Sequence, residues 1–201
     1  MTVNNFFLSF VRALFLGIKE LKAKIILHKL NKQEYFVNKH PVYINQRQKG
    51  VDTYWSKRIC AIASLQMAIE TLTKRKIKTL DLVNGCLAFG GYDIVTDTGW
   101  YHSSLVEAAK GYGINAQKYR FFGLNSQAIS IVNGDFVLSS LESPNGGHMI
   151  LLYGVRIDDN HNVEGFWAHD PGDYKPLRKN IFLTSKEFLQ RTKFQGITIH
   201  G

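Results

Sequence analysis

Apolar residues recur at helical spacing near the start of the chain. Between residues 5 and 30 they stand at Phe7, Val11, Leu14, Ile18, Leu21 and Ile25. This spacing predicts a long amphipathic helix with lysines on its other side. Arg12 interrupts the apolar run and Lys19 ends it, so we expect no membrane-spanning helix. The segment also differs from a signal peptide, because no basic stretch precedes it and no small-residue cleavage site follows it.

Two interpretations of this helix stay open. The favoured one is that it packs on the rest of the domain or on a partner protein. The other is that a basic helix lies on the surface of an anionic membrane. We therefore predict an amphipathic helix and linker over residues 1–40 and a separate domain over residues 41–201, with residues 1–32 available to a membrane surface or partner protein.

The first half of the domain is mainly helical in pattern. Helices are predicted over residues 59–73 and 80–88, and within "SSLVEAAKGYG" and "NSQAISIVNG". We expect Ser103 or Ser104 to cap the third of these helices and Asn125 to cap the fourth. The segments between them are predicted to be an extended arm over residues 33–57, a loop in "FGGYDIVTDTGWYH" and a strand in "INAQKYRFF".

The pattern changes after residue 134 to short apolar runs that predict strands. These runs are "DFVLSSL", "HMILLYGVRI", "VEGFWAHD" and "GITIH", and a short helix in "SKEFLQRT" precedes the last. The second and third strands flank "DDNHN", which predicts a hairpin. Helices followed by strands predict an α+β fold in which N-terminal helices pack on a C-terminal antiparallel sheet.

Charge adds little to this picture. The chain has 201 residues and a net charge of +9, from 25 basic and 16 acidic side chains. A basic balance invites a nucleic-acid partner. However, six of the cations lie before residue 33, and no nucleic-acid-binding motif is present. We therefore expect no nucleic-acid partner.

The two cysteines, Cys60 and Cys86, are too few for a disulfide framework, and they form no CxxC metal pair. A reducing compartment follows, and we expect a cytoplasmic protein, with a position at the periphery of a membrane as the alternative that the N-terminal helix keeps open. Cys86 sits in an apolar run and is predicted to be an inert core residue. His102 and His169 match no metal-ligand spacing, so we expect neither a metal nor an organic cofactor.

Three residues suggest nucleophilic chemistry. Cys60 begins a predicted helix and follows Lys57 and Arg58, so the helix dipole and these cations favour its thiolate. His148 lies ten residues before the hairpin loop and Asp170 eight residues after it, so the two land within a residue or two of each other across the hairpin. A carboxylate beside an imidazole orients the ring as a base.

An attacked carbonyl develops an oxyanion that needs hydrogen-bond donors. The backbone N–H of Cys60 is one candidate, and the side-chain amide of Gln46 or Gln48 is another.

These motifs resemble, in order, those of the papain-like cysteine peptidases of family 39, which include double-glycine leader peptidases. The matching stretches cover roughly residues 41–190 and read "VYINQ", "CAIASLQMAIE", "LVEAAKGYGINAQKY", "GGHMILLYGV" and "HDPGD". The resemblance implies a papain-like fold, a peptide or protein substrate and no cofactor. It also implies that Cys60 attacks, His148 is the base, Asp170 orients His148, and Gln46 stabilises the oxyanion.

Two features depart from the family pattern. The family has Cys-Gly-Pro-Ala-Ser where this chain has "CAIAS" at residues 60–64, and the interval from Gln46 to Cys60 is longer than usual. The second departure keeps Gln48 as an alternative to Gln46. The first keeps open a different function, that of a non-catalytic relative that binds a peptide or leader in the same groove.

Overall fold

The structure is a computed structural model that describes residues 3–97, 99–143, 146–172 and 174–201. In the first helix it describes side chains at residue 11 and from residue 13 onward. Helices dominate the first two thirds of the chain. Their bounds are α1 Val3–Leu27, α2 Cys60–Thr73, α3 Thr79–Ala88, α4 His102–Gly111, α5 Leu124–Val132 and α6 Ser185–Arg191, with a 3₁₀ helix at Trp55–Lys57.

The strand bounds are β1 Gln33–Phe36, β2 Asn115–Tyr119, β3 Phe136–Ser143, β4 Gly146–Ile157, β5 Val163–His169, β6 Ile181–Thr184 and β7 Thr192–His200. The strands form one antiparallel sheet in the order β2-β7-β3-β4-β5-β6, and β1 pairs with the C-terminal end of β4. The helices α2 and α5 pack on β4, and α3 and α4 pack beside α2.

The predicted α+β class, with helices packed on an antiparallel sheet, is confirmed. The hairpin loop also lies where it was predicted, at residues 158–162 between β4 and β5. Asp158 stabilises the loop, because its carboxylate accepts hydrogen bonds from the backbone N–H groups of Asn160 and Asn162. Because such hydrogen bonds join residues close together in the chain, a turn of this kind can be predicted from the sequence.

Two strands were not predicted. β1 lies in the segment predicted to be an extended arm, and β6 follows the last predicted hairpin strand. Each has four residues, which is too few for a clear alternation of apolar and polar positions. Their strand conformation comes from pairing with β4 and β5, and the sequence pattern does not show that pairing.

The central helix α2 is buried on almost every side. Its residues 61–71 are all buried, and the helix ends where Lys74 adopts a left-handed conformation. A helix surrounded by protein needs apolar residues all round, and "AIASLQMAI" supplies them. The buried position of α2 fixes its first residue, Cys60, relative to the sheet.

Neither predicted helix cap forms. α4 begins at His102 without a side-chain cap, and Ser104 Oγ donates to the Tyr101 carbonyl instead (2.7 Å). At α5 the cap comes from α1: the Glu20 carboxylate accepts hydrogen bonds from the backbone N–H groups of Asn125 (2.8 Å) and Ser126 (3.0 Å). The helix dipole also stabilises a negative charge at a helix N-terminus.

The close approach of Glu20 requires a glycine. A Cβ built on Gly123, the residue before α5, would lie 2.3 Å from the Glu20 carboxyl carbon. α1 makes further contacts with the body of the protein through Ala23 and Leu27, which are both buried. Lys24 extends the contact to the hairpin loop, where it donates to the His161 carbonyl (3.2 Å).

The predicted apolar stripe of α1 does not pack on the domain. Leu14, Ile18, Leu21 and Ile25 are all exposed, so these four side chains do not pack on the domain, and packing on a partner protein stays a prediction. The Phe7 side chain lies outside the described residues. The opposite side of α1 contacts the protein, because it carries Glu20 and the buried Leu27. The proposed boundary at residue 40 stays a prediction.

Among the described residues, no helix combines the length and the apolar character needed to cross a membrane.

Replacing Glu20 with alanine should lower the free energy of unfolding by about 1–2 kcal/mol, since it removes a helix cap. Urea unfolding measures this loss, and the amides of Asn125 and Ser126 should exchange faster with solvent. Glu107→Ala is the matched control, because Glu107 makes an exposed pair with Lys110 (2.7 Å) whose loss costs little. Equal stability of the two variants would contradict the capping role.

Candidate active site

The site forms where α2 docks on β4. Ser64, one turn into α2, donates a buried hydrogen bond to the backbone carbonyl of Met149 in β4 (3.1 Å). Cys60 lies one turn earlier on the same face of the helix. His148 lies next to Met149 in β4. This one contact therefore sets the thiol beside the imidazole.

Cys60 is the first residue of α2, one residue after the predicted start of this helix at residue 59. The residue before it, Ile59, makes no side-chain cap, so the N–H groups of the first turn are not used by a capping side chain. The Cys60 sulfur receives hydrogen bonds from the His148 side chain and from the backbone N–H groups of Met149 and Ala61. Cys60 is partly exposed and lines an open cleft.

Two opposing effects act on the Cys60 thiol. Burial raises its pKa, but the hydrogen bond and positive charge of His148 and the two backbone N–H groups outweigh burial, so the pKa is lowered. For His148, burial lowers the pKa, but the hydrogen bonds to Asp170 and Cys60 raise it by a larger amount. The pKa of His148 therefore lies well above its ordinary value. The two shifts together favour a thiolate–imidazolium pair over a neutral pair.

His148 contacts Asp170 as the hairpin spacing predicted. Nε2 of His148 lies 2.6 Å from Oδ1 of Asp170. β5 pairs its last residue, His169, with Leu151 of β4, and continuing that register places Asp170 two residues from His148. Since Nε2 is taken by the carboxylate, Nδ1 is the ring nitrogen left for the sulfur.

Asp170 is nearly inaccessible to solvent, and several groups hold it. Its Oδ1 accepts a hydrogen bond from the Gly172 N–H (3.0 Å), and Arg178 lies 3.5 Å from Oδ2. Tyr43 donates to its backbone carbonyl (3.2 Å). Burial raises the pKa of Asp170, but His148, Gly172 and Arg178 lower it more, so the carboxylate stays ionised. Arg178 and Tyr43 were not singled out from the sequence, where nothing marks their contact with Asp170.

The two glutamines proposed for the oxyanion hole lie in different surroundings. Gln46 lines the same cleft as Cys60, and its Nε2 donates to the Ser56 carbonyl (3.0 Å). Gln48 instead donates to Thr79 Oγ1 (2.6 Å), at the start of α3. Position in the cleft therefore favours Gln46 for an oxyanion hole, and Gln48 serves packing between α2 and α3.

Gln46 is nearly buried, and it is held at both its backbone and its side chain. Its N–H donates to the Pro171 carbonyl (2.9 Å), directly after Asp170. Its Oε1 is buried and has no hydrogen-bond partner among the described residues. An amide nitrogen carries two donors. The bond to Ser56 uses one donor, and the other is left for a group in the cleft.

The cleft beside Cys60 has a volume of about 720 Å³. Trp100 forms part of its wall and donates through Nε1 to the Arg58 carbonyl (2.9 Å). The guanidinium of Arg58 forms two bonds of 2.8 Å to Asp97, so its charge is paired at the cleft wall. Lys57 also lines the cleft, but the main groups that lower the Cys60 pKa are His148 and the backbone N–H groups of Met149 and Ala61.

A second polar pair in the cleft was missed by the sequence analysis. His102 Nε2 lies 2.9 Å from Ser140 Oγ, and both residues line the cleft. Burial lowers the pKa of His102 to about 4, with a smaller effect from Lys118, so the ring is neutral near pH 7. The pair joins α4 to β3, and no local sequence signal connects them.

Cys86 and His169 have structural surroundings. Cys86 is buried in the core, and burial raises its pKa to about 12. Buried His169 accepts from the Asn180 N–H at Nδ1 (3.1 Å) and lies 3.1 Å from the Pro41 carbonyl through Nε2. Within the described ranges, no group of three or more His, Cys, Asp or Glu side chains is arranged to hold a metal ion.

Solved structures with this arrangement of helices and sheet are papain-like peptidases. A double glycine motif protease from an AMS/PCAT transporter, solved with its leader peptide, has a TM-score of 0.54 and 14% identity, over 84% of this chain and 98% of its own. A putative C39-like peptidase from Bacillus anthracis has a TM-score of 0.55 and 17% identity, over 84% and 98%. UfSP from C. elegans reaches 0.56 and 11%, over 84% of this chain and 34% of its own.

These structures define the fold as that of papain-like cysteine peptidases. The family model of the Peptidase C39 like family matches residues 40–197, most of the chain, so the protein belongs to that family. The family resemblance read from the sequence is thereby confirmed. A search of curated proteins gives no match to this chain.

The lowered pKa of Cys60 should make its thiol reactive in mild acid. At about pH 6, iodoacetamide should label Cys60, because the alkylating species is the thiolate. His148→Gln should slow this labelling about tenfold or more, since each unit of raised pKa removes nine tenths of the thiolate. Mass spectrometry after timed labelling gives both rates.

The control is Cys60→Ala, in which the buried Cys86 should stay unlabelled while the protein is folded. A labelling rate for Cys60 that follows an ordinary thiol pKa, about 8.5, would contradict the ion pair.

Proposed function

We propose that the protein is a cysteine peptidase that cleaves a peptide bond through a Cys60–His148–Asp170 triad. One observation carries the proposal: His148 contacts Asp170 through Nε2 (2.6 Å) and forms a hydrogen bond with the Cys60 sulfur. A thiol, an imidazole and a carboxylate in this order are the components of nucleophilic acyl transfer. Membership of a peptidase family supports the same chemistry.

In the first step, the Cys60 thiolate attacks the substrate carbonyl carbon, and the C=O electron pair moves to oxygen. When the tetrahedral intermediate collapses, the C–N bond breaks and His148 gives its proton to the leaving amine. A thioester remains on Cys60. Water then attacks the thioester, His148 takes the proton of that water, and the acid product leaves as the thiolate forms again. Asp170 keeps the ring oriented and stabilises its charge throughout.

The developing oxyanion is stabilised by two donors in this proposal. One is the backbone N–H of Cys60 at the start of α2, where the helix dipole also favours negative charge. The other is the N–H of Gln46 Nε2 that is not bonded to Ser56. Anchoring at Ser56 and Pro171 holds the amide in place before substrate arrives. A preorganised donor of this kind has no reorganisation cost during the reaction.

We propose a peptide or protein substrate that lies in the 720 Å³ cleft. The cleft runs beside Cys60 and is lined by both polar and aromatic groups, among them Trp100, Tyr92 and Ser140. The family-39 relative solved with a leader peptide supports a peptide ligand. The reaction needs a reduced thiol, so a reducing compartment, the cytoplasm, is the proposed location.

A second candidate is a peptide-binding protein without catalysis. Ala61 replaces the expected glycine after the nucleophile, and this residue lines the cleft. A Cβ at this point restricts how closely a substrate carbonyl approaches the sulfur. Binding of a peptide without any turnover, together with slow alkylation of Cys60, would favour this function over hydrolysis.

Replacing Cys60 with alanine should abolish hydrolysis of any peptide that the wild-type protein cleaves, while the urea unfolding curve stays close to that of the wild type. A peptide library read by mass spectrometry identifies the substrate first. Ser143→Ala, at the cleft margin, is the control and should keep most of the activity. Full turnover by the Cys60→Ala variant would rule out the mechanism.

The pH profile of kcat/KM should be broad. On the acid side, kcat/KM should rise as Cys60 ionises, at a pH below the usual range for a thiol because the pKa of Cys60 is lowered. On the alkaline side, kcat/KM should fall as the His148 imidazolium loses its proton, since the pKa of His148 is raised to about 10. Asp170→Asn should narrow the profile from the alkaline side, since it removes the carboxylate that raises the His148 pKa.

Gln46→Ala should lower kcat by about 10²–10³-fold, the usual loss for one oxyanion donor. Alkylation of Cys60 should be unchanged, because Gln46 is not among the groups that shift the thiol pKa. Gln48→Ala provides the matched comparison and should reduce stability while leaving kcat within a few-fold of the wild type. The reverse pattern would move the oxyanion role to Gln48.

A further inference from the structure

The outward side of α1 is an apolar surface that the described part of the chain leaves largely uncovered, although Phe15 at its edge stacks on Phe121 (6.3 Å between ring centroids). Six large side chains on it are between 45% and 63% exposed. A soluble protein seldom exposes a contiguous apolar patch of this size unless something binds it. We define these residues as the outward face: Leu14, Phe15, Ile18, Leu21, Ile25 and Ile26.

The helix is held so that this face points away from the protein. Glu20 binds the N-terminus of α5, and Ala23 and Leu27 are buried. At 3.6 residues per turn, these three positions lie opposite Ile18 and Ile25. The outward face is therefore a fixed surface of the folded protein, and α1 cannot rotate to bury it without losing the Glu20 cap.

The charges around the outward face are positive. Lys22 lies within it, one turn after Ile18 and one turn before Ile26, and its side chain is exposed. Lys19 lies at its edge, with Nζ 5.6 Å from the centroid of the Tyr119 ring, and Lys29 follows the helix; both lysines are exposed. The one acidic residue among the first 32, Glu20, is turned inward to α5. The outward face thus combines apolar side chains with cations and no acid.

We propose that the outward face of α1 binds the surface of an anionic membrane, with the helix lying parallel to it. Apolar side chains would enter the boundary between headgroups and acyl chains, and the lysines would bind acidic headgroups. Lysine side chains can reach the headgroups while their methylene stems stay in apolar surroundings, so Lys22 fits within the face.

A second copy of the chain fits the outward face less well. Two such faces packed together would bring Lys22 and its counterpart into an apolar contact with no acid to pair with them. An unpaired charge buried in an interface is costly. The same cations gain energy at an anionic membrane, because each basic residue near such a surface contributes favourably.

The test is co-sedimentation of the full chain with vesicles, measured at low salt. We expect binding to phosphatidylcholine vesicles that contain about one third phosphatidylglycerol to be at least about tenfold tighter than to phosphatidylcholine alone. Raising the salt concentration should weaken the binding, since it screens the lysines. Equal binding to both kinds of vesicle, or no binding to either, would overturn the proposal.

Two sets of variants test the surface itself. The combination Leu14→Ser, Ile18→Ser and Leu21→Ser should weaken binding about tenfold or more, whereas Leu177→Ser with Leu189→Ser should not, although those leucines are similarly exposed. Lys22→Glu should weaken binding about fivefold or more, and Lys186→Glu, an exposed control on α6, should not. Wild-type binding by the apolar or Lys22 variants would overturn the proposal.

Light scattering at the same concentrations gives the remaining outcome. A dimer that the triple serine variant abolishes would show that a second copy covers the face, and would replace the membrane proposal. All changed residues are exposed, so circular dichroism should show unchanged folding. If the triple variant does not fold, the comparison of Lys22→Glu with Lys186→Glu tests the membrane proposal. Cys60→Ala should bind vesicles as the wild type does, so this result is independent of the proposed peptidase activity.

Discussion

The docking of α2 on β4 determines the rest of the site. A buried hydrogen bond from Ser64 to the Met149 carbonyl fixes the helix against the strand, and nearly every face of α2 is enclosed. Cys60 lies one turn before Ser64, and His148 lies next to Met149. A shift of one helical turn, about 5.4 Å, would separate sulfur and ring completely. Core packing therefore positions the Cys60 thiol beside the cleft.

Burial and pairing oppose each other in the site, and the outcome depends on all three ionisable groups. Burial alone would neutralise Cys60, His148 and Asp170. Pairing reverses this, because each charge lies beside an opposite one and hydrogen bonds link them. Arg178 extends the chain of charges beyond Asp170. The removal of any one member leaves a neighbour buried without its partner, so the three groups act as one unit.

α1 makes two different uses of its two sides. Its inward side contributes Glu20, a carboxylate that completes the N-terminus of α5 and requires a glycine at position 123. Its outward side presents apolar residues and lysines. A single helical period accounts for both, since residues three or four apart share a face. The capping contact therefore also decides which residues of α1 are offered to other molecules.

The sequence by itself determined the α+β class, the hairpin loop and the family, because these rest on local periodicity, on turn residues and on short motifs such as "GGHMILLYGV". It also brought His148 and Asp170 together by counting residues across a hairpin; their catalytic roles stay proposals. Tertiary structure alone placed Gln46 in the cleft beside Cys60 and Gln48 against Thr79. It also replaced Asn125 with Glu20 as a cap, formed the His102–Ser140 pair and turned the stripe of α1 outward. Each of these depends on contacts between residues far apart in the chain, which hydrophobic periodicity does not encode.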